Sequence, residues 1–405
     1  MRAPATVEAV LTDDPRVAHS LHGPFAIVPV RVELVNGVRT RVPATVLASR
    51  PEAWRPLLPS TRVRVEARLR PARPDTPDAA ALSVRRPPQV VAGPSALQGF
   101  AGGLRQGLRD ACGGLPADAR GLLPGLVIGD VSQEPDSLSA AFRATGLSHL
   151  TAVSGENLAF VLAAAMPLAR LVGVRGRFLT VVGLAVVLAF TVLARPEPSM
   201  VRASVMALLA LLLAAVGRRA RGIPLLCAGG TLLLLFDPWL ARSYGFALSL
   251  SATAGLFLLA PGWQRALAER GVPHRVAESL ACTAAAEAFC LPVLVSLTAE
   301  ITPLSIPANL LAEVFVGPAT VLGATALLAA AVWPPLGRAV AWLAQWPTDG
   351  IVAVARSGAR LPGAAVPWAA GLAGSVTLLA AYAAIFLNLA AVGARKNARK
   401  NTHKN

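Results

Sequence analysis

The sequence predicts a polytopic α-helical membrane protein preceded by a small all-β domain. Three observations carry that prediction. Of the 405 residues, 54% are hydrophobic and only 15% charged, with a mean hydropathy of +0.56, too apolar for a soluble chain of this size. Apolar runs near the membrane-crossing length of about 17 to 25 residues recur from residue 150 onward. The first 100 residues are instead Arg-rich and alternate with the period of a strand, whereas later charges fall in short gaps between apolar runs.

That contrast divides the chain into a β domain over 1–94, a connector over 95–120, a membrane domain of about eight or nine helices over 121–391, and a basic disordered tail over 392–405. In the β domain, residues 26–35 (AIVPVRVELV) and 38–48 (VRTRVPATVLA) flank Asn36-Gly37, the dipeptide best suited to the positive φ of a tight hairpin turn. Residues 62–70 (RVRVEARLR) alternate strictly, with Val63, Val65, Ala67 and Leu69 on one face and Arg62, Arg64, Glu66, Arg68 and Arg70 on the other. Further strands near 5–11 and 82–91 complete a small, partly open barrel of the OB type, whose exposed face suits a single nucleic-acid strand. Arg62, Arg64, Arg68 and Arg70 are the candidate contacts. A bland alternative is that these arginines only solvate an outer face, and the near absence of aromatics for base stacking favours it. Residues 95–112 (SALQGFAGGLRQGLRDAC) have amphipathic helical spacing, which predicts a connector lying on the membrane surface.

Membrane-length runs lie near 150–171, 178–194, 199–216, 223–237, 244–261, 276–299, 303–332, 338–355 and 366–391, some of them broken or re-entrant. Arg175 and Arg177, then Arg218, Arg219 and Arg221, then Arg265, Arg270 and Arg275, then Arg338 and the basic tail fall in alternate gaps, on one side. The excess of arginine makes that side cytoplasmic. It follows that Ser148 and the β domain are external and the C-terminal tail cytoplasmic. No apolar leader core follows Met1, so an external β domain predicts a longer parent protein with helices ahead of residue 1. Every lysine (Lys396, Lys400, Lys404) lies in the last ten residues, which reads equally as a disordered basic tail or as read-through past a broken frame.

Polar residues in the apolar part are the functional candidates. Read as one helix, residues 147–157 place His149 and Glu156 seven apart, about 20° short of two turns, so they share a face flanked by Ser148 and Asn157. A charge at mid-membrane costs about 2.5 to 3.5 kcal/mol on insertion scales, so Glu156 should avoid lipid. Ser154-Gly155 lets that helix bend or break. Arg202, Ser249 and Asn309 are further candidates for a wet path, Asn309 because Pro303 and Pro307 favour a broken, re-entrant entry. Interhelical hydrogen bonding is the competing role for the serines, and snorkelling for Arg202. Glu287 and Glu313 are candidate partners for Arg202. The chain holds no Gly-Lys pair and therefore no Walker A motif, and it has no HExxH, no GxSxG and no metal-spaced His or Asp set. The expectation is no catalytic site and no cofactor.

The segment RATGLSHLTAVSGEN (143–157) resembles the TGLSHL-AVSG element of the ComEC family of competence DNA-uptake channels. Similarity extends to 196–220 (PEPSMVRASVMALLALLLAAVGRRA), 233–256 and 291–318, and the β domain resembles that family's external OB-like domain. The resemblance implies a bacterial inner-membrane protein that passes single-stranded DNA into the cell, with DNA-receptor proteins and a cytoplasmic ATPase motor as partners and a homo-oligomer as one assembly. Nothing here resembles the nuclease domain that many members carry. A single strand bears one charge per roughly 3.4 Å, so a core about 30 Å thick holds about nine phosphates, which demands a hydrated protein-walled path. The competing expectations are a small-solute transporter, a membrane-embedded hydrolase using Glu156 and His149, or a truncated remnant that conducts nothing.

Overall fold

A computed structural model describes residues 4–20, 23–72, 76–151, 155–195, 197–218, 220–362 and 366–382. Its first part is built from strands β1 (Ala5–Leu11), β2 (Arg16–Ser20), β3 (Gly23–Val35), β4 (Val38–Ala48), β5 (Arg62–Pro71), β6 (Ala80–Val84) and β7 (Gln89–Ala92). Asn36 (φ 48°) and Gly37 (φ 82°) turn β3 into β4, as their tolerance of positive φ predicts. Strand order runs β1-β3-β4-β6-β5 and returns to β1, with β4 and β6 parallel and the other neighbours antiparallel. The barrel is therefore a closed five-stranded OB-like one rather than the partly open one expected, because β5 pairs β1 over 62–67 and β6 over 67–71. The alternation of β5 turns Val63, Val65 and Ala67 inward, where they pack with Val7, Val30, Val46, Leu82 and the fully buried Trp54. Strand β2 extends β3, and β7 extends β5. The single strand expected over 82–91 is split, since Pro87 and Pro88 have no N–H to offer a ladder.

The remainder is helical: α1 (Ala96–Cys112), α2 (Ala117–Ile128), α3 (Asp136–Ala144), α4 (Gly155–Leu171), α5 (Arg177–Ala194), α6 (Pro198–Ala215), α7 (Gly222–Phe236), α8 (Tyr244–Leu258), α9 (Ala260–Ala268), α10 (His274–Thr298), α11 (Ser305–Val332), α12 (Pro334–Ala359) and α13 (Gly371–Tyr382). Among the described residues, α5, α6, α10 and α11 are long and apolar enough to cross a membrane. The α8–α9 pair, bent by 42°, makes a fifth if counted as one span, while α4, α7 and α13 are apolar but shorter. The 338–355 run lies within α12, which buries Gly337, Ala341, Ala344, Thr348, Ile351 and Ala355 along one stripe.

Packing sorts the helices into two groups. Helices α4 to α10 pack largely on their neighbours in the chain, with apolar contacts such as Leu158, Val187, Phe190 and Met200. Helices α1, α2 and α3 instead pack on the α11–α12 hairpin, burying Leu108, Leu122, Leu126 and Phe142 against Ala312, Ala326 and Ala355. One residue, Trp333, separates α11 from α12. A Cβ at Gly337 would stand 2.6 Å from Ala330 Cα, so the tight reversal requires glycine there. Residues 95–112, expected as an amphipathic connector, form α1, whose apolar face meets protein over part of its length. There Leu108, Ala111 and Cys112 are covered by α11 and α12.

A buried ionic cluster joins barrel to helices. Asp14, on the β1–β2 loop, accepts two hydrogen bonds from Arg195 at 2.9 Å and lies 3.3 Å from Arg105. Arg105 of α1, 4% exposed, donates to the carbonyls of Ile128 and Leu193 at 2.9 Å, and Asp130 pairs with Arg109 at 2.6 Å. Arg195 also bonds Gln98. Asp14→Ala leaves Arg105 and Arg195 buried and short of an anion, so it should lower stability by about 3 kcal/mol, read as a shift in the unfolding midpoint of the detergent-solubilised chain. Asp130 supplies a pH window. Burial alone would raise its pKa, but Arg105, Ser132 and Arg109 outweigh that and hold it below the ordinary carboxylate value. Its stabilisation is complete above the unfolded value of about 3.9 and is lost as pH falls through the lower folded value. Asp130→Asn should therefore erase a stability difference that wild type shows only on the acid side of about pH 4.

Candidate functional site

The segment 143–157 is built by a helix stop and a helix start. Helix α3 ends at Ala144; Gly146 follows with φ +72°, and Leu147 N–H reaches back to Phe142 O at 2.8 Å. This is a Schellman stop, which demands a left-handed residue at the glycine position. Thr145 is buried, and its Oγ1 donates to Ala141 O at 2.8 Å. Ser148–Leu150 form a 3-10 turn, and the described part of α4 runs from Gly155. The single helix expected over 147–157 is thus corrected, and with it the shared face of His149 and Glu156: the Schellman stop directs the chain out of helix. Ser148 and His149 are exposed, and His149 Nδ1 lies 3.2 Å from Gly146 O. Ser154 and the Glu156 side chain lie outside the described residues.

From this segment contacts radiate to four other helices. A Cβ on Gly146 would sit 2.6 Å from Ser305 Cβ at the start of α11, and Thr145 presses on Gly358 of α12. Asn157, 6% exposed, donates from Nδ2 to Leu126 O of α2 at 2.8 Å. Gly155 faces Ala203 and, at 3.9 Å from a notional Cβ, Arg202 Nη2 of α6. Arg202, 8% exposed, donates from Nε to Ser249 Oγ of α8 at 2.8 Å and from Nη1 to Met206 Sδ at 3.2 Å. Gly155, Arg202 and Ser249 therefore form one polar layer across α4, α6 and α8.

A second polar group gathers at the start of α11. Ser305 donates to Glu287 Oε1 at 2.9 Å, and Asn309 Nδ2 donates to Ser305 O at 2.8 Å. Helix α11 begins opposite the middle of α10 and runs unbroken through Asn309. Glu313 accepts from Ser279. The two glutamates thus bond serines, and Arg202 bonds Ser249 and Met206 rather than either of them. The two best-formed concavities lie elsewhere: a groove of about 420 Å³ on the barrel, and a corner of about 380 Å³ lined by Val172, Arg175 and Phe178. Neither runs through the helices. Among the described residues no His, Cys, Asp and Glu group is arranged to hold a metal.

On the barrel, the arginine face is divided. Arg62 pairs with Glu33 at 2.7 Å and Arg64 with Glu8 at 2.6 Å, while Arg86 takes Glu66. Arg68 and Arg70 are exposed and form no ion pair among the described residues. Register carries their surface onward: Arg70 stands opposite Ala81, Ala81 opposite Thr45, and Thr45 opposite Pro29. That row leads to the groove lined by Pro29, Arg31, Arg41, Pro43 and Asp78. Arg31 Nε is buried there with no hydrogen-bond partner. Arg31 and Arg41 were not among the residues the sequence singled out; the closed barrel brings them into the groove that this row leads to. The Asp14, Arg105, Asp130 and Arg195 cluster left a weak trace, an arginine at the centre of an amphipathic helix.

The family described as Competence protein matches residues 126–395. ComE operon protein 3 of Bacillus subtilis (strain 168) is 26% identical over 197 residues, which cover 49% of this chain and 25% of that relative. The chain thus spans about a quarter of the length of the relative it matches. No solved structure matches.

Two glycines with the same φ separate strain from contact. Gly217, like Gly146, has φ +72° but no atom within 4 Å of a notional Cβ. Gly217→Ala should cost about 1 to 2 kcal/mol from the left-handed backbone alone. Gly146→Ala should cost distinctly more, because Ser305 must also move, and paired thermal unfolding of the two variants measures the difference.

Proposed function

The chain belongs to the competence protein family, the ComEC family, and from that premise we propose that it forms the membrane path by which single-stranded DNA enters a bacterial cell during natural transformation. The observation that supports this most is the position of the family-like segment 143–157, which touches α2, α6, α11 and α12 at once. The helix groups around it carry the polar side chains of Asn157, Arg202, Ser249 and Asn309, the groups that a hydrated path for a polyanion needs. Ser148 and His149, exposed at its mouth, are the first side chains a strand meets, with Ser154 and Glu156 following along the chain.

In this reading the protein lies in the inner membrane with the barrel external and the C-terminal tail cytoplasmic. Support comes from the ionic cluster, which docks the barrel on the α5–α6 turn, the side opposite the Arg-rich gaps at 172–177 and 216–222. The incoming strand, delivered by receptor proteins, crosses the barrel from Arg68 and Arg70 toward the β3–β4 groove, the face on which OB barrels hold oligonucleotides. Arg62 and Arg64 contribute less because carboxylates already neutralise them. A strand slides inward only under work from a cytoplasmic ATPase, since the chain has no Walker A motif of its own.

Arg202→Gln keeps a donor for Ser249 while removing the charge. Cells carrying this variant at wild-type membrane abundance should internalise labelled DNA several-fold more slowly, and undiminished uptake overturns the assignment of Arg202 to the path. On the barrel, binding of a fluorescent oligonucleotide to the full chain should lose salt dependence by about 0.7 per arginine in Arg68→Gln, Arg70→Gln and Arg41→Gln. Arg64→Gln, whose charge is spent on Glu8, should leave the slope unchanged.

A further inference from the structure

We propose that Glu287 is a proton-binding site within the membrane domain, and that its bond to Ser305 is a proton-operated pin on the start of α11. The inference goes beyond DNA passage and does not depend on it. Helix α10 is among the helices long and apolar enough to cross a membrane, and Glu287 stands near its middle, eleven residues before its last residue, Thr298. An ionisable side chain at that depth is a functional group by default, because lipid gives its charge nothing.

The surroundings define how a proton would act. Glu287 Oε1 accepts from Ser305 Oγ at 2.9 Å, and Ser305, 3% exposed, is the first residue of α11. The carboxylate therefore sits at the positive end of the α11 dipole, where a negative charge is favoured. The groups facing it are few. From α11 they are the uncharged Ser305 and Asn309; from α13, the phenol of Tyr382; from its own helix, the thiol of Cys290. Among the described residues no lysine, arginine or histidine forms an ion pair with it. Arg202, which the sequence analysis offered as a partner for it, is engaged by Ser249 instead. A carboxylate held, among the described residues, by a hydroxyl and a helix end with no cation paired to it can exchange a proton with little rearrangement of those neighbours.

Protonation removes the charge that the α11 N-terminus attracts and leaves a weaker, neutral contact. The consequence reaches the family-like segment directly, since Ser305 also packs against Gly146. An ionised Glu287 holds α11, and through it residues 145–147, in the closed arrangement; a protonated one releases them.

The test uses the full chain in lipid nanodiscs and no DNA, so its failure leaves the proposed function untouched. Infrared spectra taken across the titration range of a buried carboxyl should show an acid C=O band that grows on acidification. The band should be lost in Glu287→Gln and kept in Glu313→Gln. Hydrogen exchange at residues 305–309, corrected for the chemical rate, should quicken as wild type is acidified and be quick at every pH in Glu287→Gln. A band that persists in Glu287→Gln overturns the proton site, and exchange that ignores pH in wild type overturns the pin. Should Glu287→Gln fail to insert, Ser305→Ala serves: it should keep the band while making exchange quick at every pH, and slow exchange in that variant overturns the pin.

Discussion

The structure depends on a single buried electrostatic arrangement, the cluster of Asp14, Arg105, Arg195, Asp130 and Arg109. It is a buried link between the barrel and the helices, because Asp14 lies on the β1–β2 loop and Arg195 closes α5; Arg16 with Glu197, Ser60 with Ser95 and Leu58 against Gly102 add further ones. Buried ion pairs add little net stability over an apolar replacement, but losing one partner is costly. Such a cluster is therefore better suited to fixing orientation than to strengthening the fold. Arg105 adds directionality, since its guanidinium also satisfies the Ile128 carbonyl at the end of α2 and the Leu193 carbonyl near the end of α5.

The two helix groups hold together internally mostly through apolar packing, and across their seam more through polar bonds. Within each group, apolar clusters of Leu, Val, Phe and small alanines are joined by a few polar contacts, such as Arg202 with Ser249 and Arg356 with Asp118. Across the seam, polar bonds recur: Asn157 to Leu126 O, Arg105 to Leu193 O, Ser305 to Glu287 and Ser279 to Glu313. Each satisfies a group that apolar surroundings would penalise if left alone.

Much of this was legible in the sequence, and the reasons for the exceptions are local. Strict alternation over 62–70 and Asn36-Gly37 gave strand faces and a hairpin, because period and turn chemistry are short-range properties. Closure of the barrel was not legible, since it depends on β5 pairing two different strands along its length. Residues 147–157 were read as one helix because Gly146 precedes them and its left-handed φ, which ends α3, has no signature in composition. Of the arginine face, the pattern identified which residues point outward, but pairing with Glu8 and Glu33 required knowing which strands lie side by side. Arg105 was hidden in an amphipathic pattern whose polar side reads as solvent-facing, whereas the structure turns it onto carbonyls and carboxylates.

The seam also bears on how a closed bundle could admit a polyanion. A neutral hydrogen bond contributes about 1 kcal/mol net, whereas separating helices within a group would expose apolar side chains at about 25 cal/mol per Å². A few polar bonds are cheaper to exchange than hundreds of square ångströms of apolar contact. The groups freed by parting the seam, an asparagine amide, serine hydroxyls and carbonyls, are also those that water or a nucleic-acid backbone can satisfy. Opening along this line would thus convert the contacts that close the bundle into the wall of a wet passage. Gly146 stands where the family-like segment meets α11, so the backbone there is also the backbone with the least side chain to move.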